Sequence, residues 1–376
     1  MRRIAFLLML PALLAQDKST EWKKGHSLHG EAFDAGPRQK PWVIEGIGAT
    51  HFAITTANPE VQKWFDQGHT LLHSFWHYEA ERAFRWCLKL EPDNAMAYWG
   101  LARAVQDNDR GAAMMREALK RKGKVSERER LYLEAWAPLY DRDEPYAKRE
   151  KEHHRLLEQL CVKYPDDLEA RSLLGLANMG TNRVGTDLIL RQVIAQSPRH
   201  PGAHHYRIHN WNDNAPESAL DSSEAFGKIA SGIGHAQHMP GHIYSTVGMW
   251  HEAAISMDSA TRVEKEYMRR RMAFPFNTWN YGHNANYLGY ILEQLGMAGA
   301  AIGGARQLLD APLDPLYNNP EKAGFGAHMQ GTLAMLRVLV KFERWKELLD
   351  EKTFSWRDST ADKVFKSYAE TLAHLG

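Results

Sequence analysis

The chain has 376 residues, and its 47 lysines and arginines nearly balance 46 aspartates and glutamates, for a formal net charge of +1. No run of basic residues is dense enough to follow a phosphate backbone, so we do not expect a nucleic-acid partner. The two cysteines, Cys87 and Cys161, form no CxxC pair and no zinc-finger spacing. Because both fall within amphipathic helical patterns, we interpret them as core thiols rather than as a disulfide.

Residues 1–15 read MRRIAFLLMLPALLA, two arginines followed by a short apolar run that ends in small residues. This pattern is typical of a secretory signal peptide and is too short to span a bilayer. No later stretch reaches eighteen uninterrupted apolar residues, the length expected of a spanning helix. We therefore predict export to a periplasm or to the cell exterior, with no stable membrane insertion after cleavage. Residues 16–58 contain glycine and proline with little periodicity and are predicted to form an irregular extension.

Residues 61–92 match the tetratricopeptide repeat pattern, in which a first helix carries W-x2-L-G-x2-Y and a second carries A-x3-F before a proline. The positions that match are Trp64, Gly68, Leu71, Ala80, Phe84 and Pro92. The only departure is Gln67, which replaces the usual leucine. Further units follow at 241–260 and 289–305, with weaker ones at 95–122, 126–165, 167–198, 201–230 and 327–350.

Apolar residues recur at separations of three and four along this span, which predicts helices and no strands. The fold class is therefore all-α, a tetratricopeptide-type α-solenoid of about seven helical hairpins over residues 59–350. Residues 16–58 form the irregular extension along the solenoid or in its groove, and residues 351–376 form a C-terminal capping helix.

Four phrases occur in order along residues 48–300: GATHFAITTANPEVQKWFDQGHTLLHSFWHYEAERAF, DNAMAYWGLA, HPGAHHYRIH and HAQHMPGHIYSTVGMW. On these phrases the chain resembles a group of secreted, histidine-rich bacterial tetratricopeptide proteins. The resemblance implies an exported solenoid and implies no particular activity.

The histidines recur at one place in the repeats. In this fold, residues three before and one after the small residue of the first helix face the concave wall, and His238 and His242 take these places around Gly241. His205 and His209 form a second pair at a separation of four, on a helix that Pro201 is suited to begin. Proline is best tolerated in the first turn of a helix. If Pro240 began its helix, His235 and His238 would be displaced from this stripe.

Neighbouring first helices lie about 8–10 Å apart, so imidazoles from adjacent helices can share an ion. Facing pairs of imidazoles suit zinc or copper. The predicted metal ligands are His205, His209, His238, His242 and His283. The residues predicted to line the groove without binding metal are His69, His73, His235, Asn286 and Tyr290, with polar lining favoured over a second metal site at His69 and His73.

Three functions follow from this pattern. The leading hypothesis is an exported binding protein whose groove coordinates a transition metal, copper or zinc. The second is a scaffold that recognises peptides or partner helices, with histidines as mere groove lining. The third is a metal-dependent enzyme. Copper chemistry would suit such an enzyme, because tyrosines lie close to the histidines in the sequence. No H-E-x-x-H, P-loop, G-x-S-x-G or dinucleotide-binding motif occurs, so we favour binding over catalysis.

Overall fold

The structure, a computed structural model, describes residues 36–313 and 326–376, and within these ranges it contains helices and no strand. Seventeen α-helices are numbered here in chain order. They are α1 (Pro59–His73), α2 (His77–Leu90), α3 (Ala95–Ala104), α4 (Asn108–Lys120), α5 (Glu127–Trp136), α6 (Tyr146–Lys163), α7 (Leu168–Asn178), α8 (Arg183–Gln196), α9 (Pro201–Trp211), α10 (Leu220–Ile229), α11 (Gly234–Thr246), α12 (Trp250–Arg271), α13 (Trp279–Gln294), α14 (Ala298–Leu309), α15 (Ala327–Lys341), α16 (Trp345–Leu349) and α17 (Thr360–Leu375).

Consecutive helices pair as hairpins, from α1/α2 to α15/α16, and each hairpin packs against the next. The predicted all-α solenoid is thereby confirmed, with eight hairpins in the described residues rather than about seven. Local signals explain several helix starts. The side chain of Asn58 caps α1, and Ser126 with Glu129 forms the capping box at the start of α5 that the sequence predicts. The helix α17 packs on α15 and α16 at the C-terminal end.

The ring of Phe84 shows why the repeat pattern requires glycine. A Cβ atom added to Gly68 of the same hairpin would lie 2.9 Å from this ring, and one added to Gly100 of the next hairpin would lie 2.4 Å from it. Only glycine allows α1 and α3 to approach the phenyl group from both sides. Cys87 is fully buried in the same core, Cys161 is partly buried, and neither forms a disulfide.

The solenoid curls tightly enough for its first hairpin to touch the fifth and sixth. Helix α1 contacts α9, and Nδ1 of His205 lies 2.6 Å from the carbonyl oxygen of His73. On the other side, Tyr267 of α12 donates a hydrogen bond of 2.7 Å to Glu79 of α2. Contacts of the first hairpin with the fifth and sixth therefore cross the groove that the repeat pattern predicts, because local helical patterns do not encode the curvature of the whole array.

Residues 36–58 lie against the first helices. The backbone nitrogen of Ile44 donates to Gln67, and Gly46 accepts a hydrogen bond of 2.7 Å from the backbone of Gly232. Phe52 is fully buried, with its ring 4.9 Å from that of His69. The extension thus covers part of the inner wall. The predicted signal peptide at 1–15 and the first part of the extension lie outside the described residues.

Helix α11 differs from expectation at Pro240. The helix begins at Gly234 and continues through the proline to Thr246. His235, His238 and His242 therefore remain on one helix, and the expected displacement of the first two is wrong. Among the described helices, none combines the length and the apolar character that crossing a bilayer requires.

Candidate metal centre

Three consecutive first helices, α9, α11 and α13, bring six histidines together on the inner side of the solenoid. The side chains form two groups, and within each the ligand atoms lie within 4.8 Å of one another. Cluster A consists of His205, His209 and His235. Cluster B consists of His238, His242 and His283. We refer to both together as the six-histidine centre.

In cluster A the three Nε2 atoms converge. Nε2 of His205 lies 3.0 Å from Nε2 of His209 and 3.0 Å from Nε2 of His235. Three imidazole nitrogens bound to one zinc ion at about 2.0–2.1 Å would lie roughly 3.3 Å apart, so only a small adjustment would admit an ion.

The tautomer of His205 is set by the hydrogen bond of its Nδ1 atom. Its Nδ1 faces the carbonyl oxygen of His73, which can only accept, so Nδ1 carries the hydrogen of the neutral ring. The lone pair of Nε2 must then point into cluster A. An imidazole N–H donated to a backbone carbonyl is the arrangement that orients metal-binding histidines.

Cluster B is assembled by α11 and α13. The ring of His238 lies 4.7 Å from that of His235, 5.0 Å from that of His242 and 5.1 Å from that of His283. His238 is 2% exposed, and its Nδ1 has no hydrogen-bond partner of normal geometry in the described part of the chain. Asn284 adjoins His238 without a hydrogen bond of normal geometry, and a bound ion would satisfy a ring nitrogen that the protein leaves incompletely bonded.

Burial determines the charge of these rings. It lowers the pKa of His205, His235 and His238 well below the ordinary value, and the neighbouring imidazoles act in the same direction. Burial also lowers the pKa of His209 and His242 to about 4. These rings are therefore neutral at pH 7, the state in which an imidazole binds metal.

Aromatic side chains surround the centre. Phe75 lies between α1 and α2 with a φ of 56°, a left-handed conformation that is strained for a phenylalanine. Its ring lies 4.5 Å from that of His205 and 5.4 Å from that of His209. The exposed ring of Trp279 stacks on His283 at 4.7 Å.

A third group lies on α1, α7 and the start of α9, and we call it the Glu169 hub: Glu169, His69, His73 and His200. Oε2 of Glu169 lies 2.8 Å from Nε2 of His69 and 2.7 Å from Nε2 of His73. Oε1 lies 3.3 Å from Nε2 of His200. All four side chains are buried.

The outer partners of the hub histidines place hydrogens toward the carboxylate. Nδ1 of His69 lies 3.4 Å from the guanidinium of Arg103, which only donates, and Nδ1 of His200 accepts from a backbone N–H. His69 and His200 in their neutral forms therefore carry the hydrogen on Nε2, on the side of Glu169. Burial alone raises the pKa of Glu169, but the three imidazoles outweigh burial and hold this pKa well below the usual value.

The structure distributes the predicted ligands differently from the expected single site. His205 and His209 belong to cluster A, whereas His238, His242 and His283 belong to cluster B. His235, expected to line the groove, completes cluster A. His69 and His73 are fully buried rather than groove-lining, because α9 covers them.

Asn286 and Tyr290 do line a cavity, beside His283 and Arg337. The side chain of Asn286 also bonds Gln330 and accepts from Arg337. Sequence reasoning missed Glu169 and His200 altogether. The signal for His200 was its position before Pro201, where a helix N-cap is expected; Glu169 stands in an ordinary helical pattern with no local signal.

Neither a protein-family model nor a curated protein sequence matches the chain. Three solved structures are similar at 14% identity. An assembly chaperone of RpL4 (Acl4, residues 1–338) has a TM-score of 0.31, with 76% of this chain and 98% of that chain covered. The P58(IPK) TPR domain has a TM-score of 0.24, with 84% and 99% covered. Yeast Tom70 has a TM-score of 0.26, with 84% and 95% covered.

Proposed function

We propose that the chain binds transition-metal ions, copper or zinc, through the six-histidine centre. The observation that carries this proposal is the convergence of three Nε2 atoms in cluster A, with the lone pair of His205 directed inward by the carbonyl of His73. Imidazole ligands suit zinc, copper, iron and nickel, whereas calcium and magnesium require oxygen ligands. Within the described ranges, both clusters consist of histidine alone.

The Glu169 hub is not part of this proposal, although its atoms are equally close. A metal bound at Nε2 of His69 would leave the hydrogen on Nδ1, where it would face the N–H groups of Arg103. Glu169 already accepts from the imidazoles of His69 and His73, since a carboxylate accepts from several N–H groups. We therefore assign the hub a structural role.

The test is elemental analysis of the purified, untagged protein after metal-replete preparation. We expect stoichiometric copper or zinc, and a protein free of both metals would contradict the proposal. The variant His238→Ala/His242→Ala should lose metal while keeping its helical circular dichroism. The matched control is His251→Ala, because His251 is an exposed histidine of α12 outside both clusters. This control should retain the full metal content.

A second function, recognition of a protein or peptide partner, is favoured by the architecture itself. Stacked helical hairpins present extended surfaces of the kind that repeat proteins use for binding. Because residues 36–58 cover part of the inner wall, a partner would bind elsewhere or displace this segment. A partner that binds the His238→Ala/His242→Ala variant as tightly as the wild type would support a scaffold that works without metal.

We also propose that the chain is exported, on the basis of residues 1–15. The test is a fusion of residues 1–30 to a reporter enzyme that is active only outside the cytoplasm of a bacterial host. Reporter activity should disappear when Leu7 and Leu8 are changed to arginine, because the apolar segment would be interrupted. An inactive fusion of the unchanged sequence would contradict export.

A further inference from the structure

We infer that clusters A and B hold two metal ions as one dinuclear centre, and that a small anion bridges the two ions. This inference rests on the proposed function, since it requires that the six-histidine centre binds metal. It adds that two ions are bound, that they lie close enough to share a ligand, and that this shared ligand is a small anion.

The first step is the contact between the clusters. His235 of cluster A and His238 of cluster B are three residues apart on α11, with ring centroids separated by 4.7 Å. The two ligand sets therefore meet directly at His235 and His238, with no other side chain between these rings.

The second step concerns the coordination number. Each cluster offers three imidazole nitrogens, which is the protein contribution typical of an open metal site. One position on each ion is then left for a ligand from outside. His209, His235, His242 and His283 are only partly buried, so solvent reaches the centre from their side.

The third step concerns charge. Two divalent ions bound by six neutral imidazoles retain all four positive charges, and the ions repel each other strongly in a partly buried site. In the described part of the chain, neither cluster includes a carboxylate. A small anion between the ions would offset this repulsion and complete both coordination spheres.

The fourth step is access. A cavity of about 680 Å³ borders His235 and is also lined by Phe75, His77, Trp279 and Asn280. This volume exceeds the space that a small anion needs and lies within the range of ligand cavities, about 300–1,000 Å³. An exogenous ligand can therefore approach cluster A without unfolding of the solenoid.

The test uses the full-length protein loaded with copper(II), with azide as the anion. We expect two copper ions per chain and a weak electron paramagnetic resonance signal, because two bridged copper(II) ions couple and cancel their spins. Azide should bind once per pair and produce a new charge-transfer absorption. Two ions with full, independent signals, or a single ion per chain, would overturn the dinuclear centre. A chain without copper would instead overturn the proposed function.

The variant His283→Ala tests whether the weak signal arises from spin coupling between the two copper(II) ions. Removal of one ligand from cluster B should leave one copper in cluster A, with its full paramagnetic signal restored. His251→Ala, the exposed control, should keep the weak signal of the wild type. If His283→Ala does not fold by circular dichroism, the wild-type copper count and spin integration still decide the question. A variant that folds and stays spin-silent with two coppers would contradict the assignment of His283.

Discussion

The six-histidine centre and the Glu169 hub use similar side chains on neighbouring helices, yet the hydrogen of His205 points outward whereas those of His69 and His200 point inward. In cluster A, a backbone carbonyl takes the hydrogen of His205 on its outer side and leaves a lone pair inside. In the hub, Arg103 and a backbone N–H occupy the outer nitrogens of His69 and His200, which leaves the hydrogens inside. The partners behind the imidazoles, rather than the distance between them, distinguish a metal site from a hydrogen-bonded core.

His73 joins the two regions. Its ring contacts Glu169 and accepts from Tyr206, while its carbonyl oxygen takes the hydrogen of His205. The hub therefore holds the end of α1 in the position from which it orients cluster A. A change in one region should therefore also affect the other. The following predictions are ordered from the largest expected effect to the smallest.

The largest effect is expected from His238→Ala/His242→Ala. Loss of two of the three nitrogens of cluster B should abolish its metal and lower the metal content by at least half. Elemental analysis with parallel circular dichroism measures this change. Full metal content in the folded variant would show that cluster B is not a ligand set.

Glu169→Gln should lower stability by about 2–3 kcal/mol, because the buried imidazole N–H groups lose a charged acceptor and face an amide instead. Urea denaturation measures the free energy of unfolding. Glu252→Gln, an exposed change on α12, is the control and should alter it by less than about 0.5 kcal/mol. The metal content of folded Glu169→Gln should equal that of the wild type. A loss of one ion would place a metal in the hub.

Acid should destabilise the metal-free protein through the centre. Burial lowers the pKa of His209 and His242 in the folded chain to about 4, below the ordinary value of 6.5, so the unfolded chain binds protons first as pH falls. Each neutral ring contributes to the free energy of unfolding above pH 6.5, and this contribution is lost as the pH falls toward 4. The loss is about 2 kcal/mol per ring by pH 5. His209→Asn should reduce the loss measured between pH 7 and pH 5 by that amount. An unchanged pH dependence would show that His209 is not buried and neutral.

Gly202→Ala should have the smallest effect, about 1–2 kcal/mol, through overpacking. Its Cβ would lie 2.2 Å from Nδ1 of His73, so α9 must move away from α1. Copper affinity should fall modestly, because the contact between His205 and the carbonyl of His73 lengthens. Gly303→Ala is the control, since a Cβ there meets open space. Equal stability of both variants would refute the close approach of α9 to α1.

The sequence predicts much of this fold because each hairpin repeats a local pattern, such as the glycines that receive Phe84. It also places the histidines on first helices, since their spacing relative to Gly241 is local. It does not predict that α1 meets α9, because the curl of the array sums many small rotations. For that reason the burial of His69 and His73, the hub at Glu169 and the division of the ligands into two clusters all required the structure.

The most direct test of the central claim is an anomalous diffraction map recorded at the copper absorption edge from crystals of the copper-loaded protein. The account predicts two peaks among α9, α11 and α13, one in cluster A and one in cluster B, and no peak beside Glu169. A peak at Glu169 with none at the six histidines would contradict it, because the direction of the imidazole hydrogens would then not select the metal site.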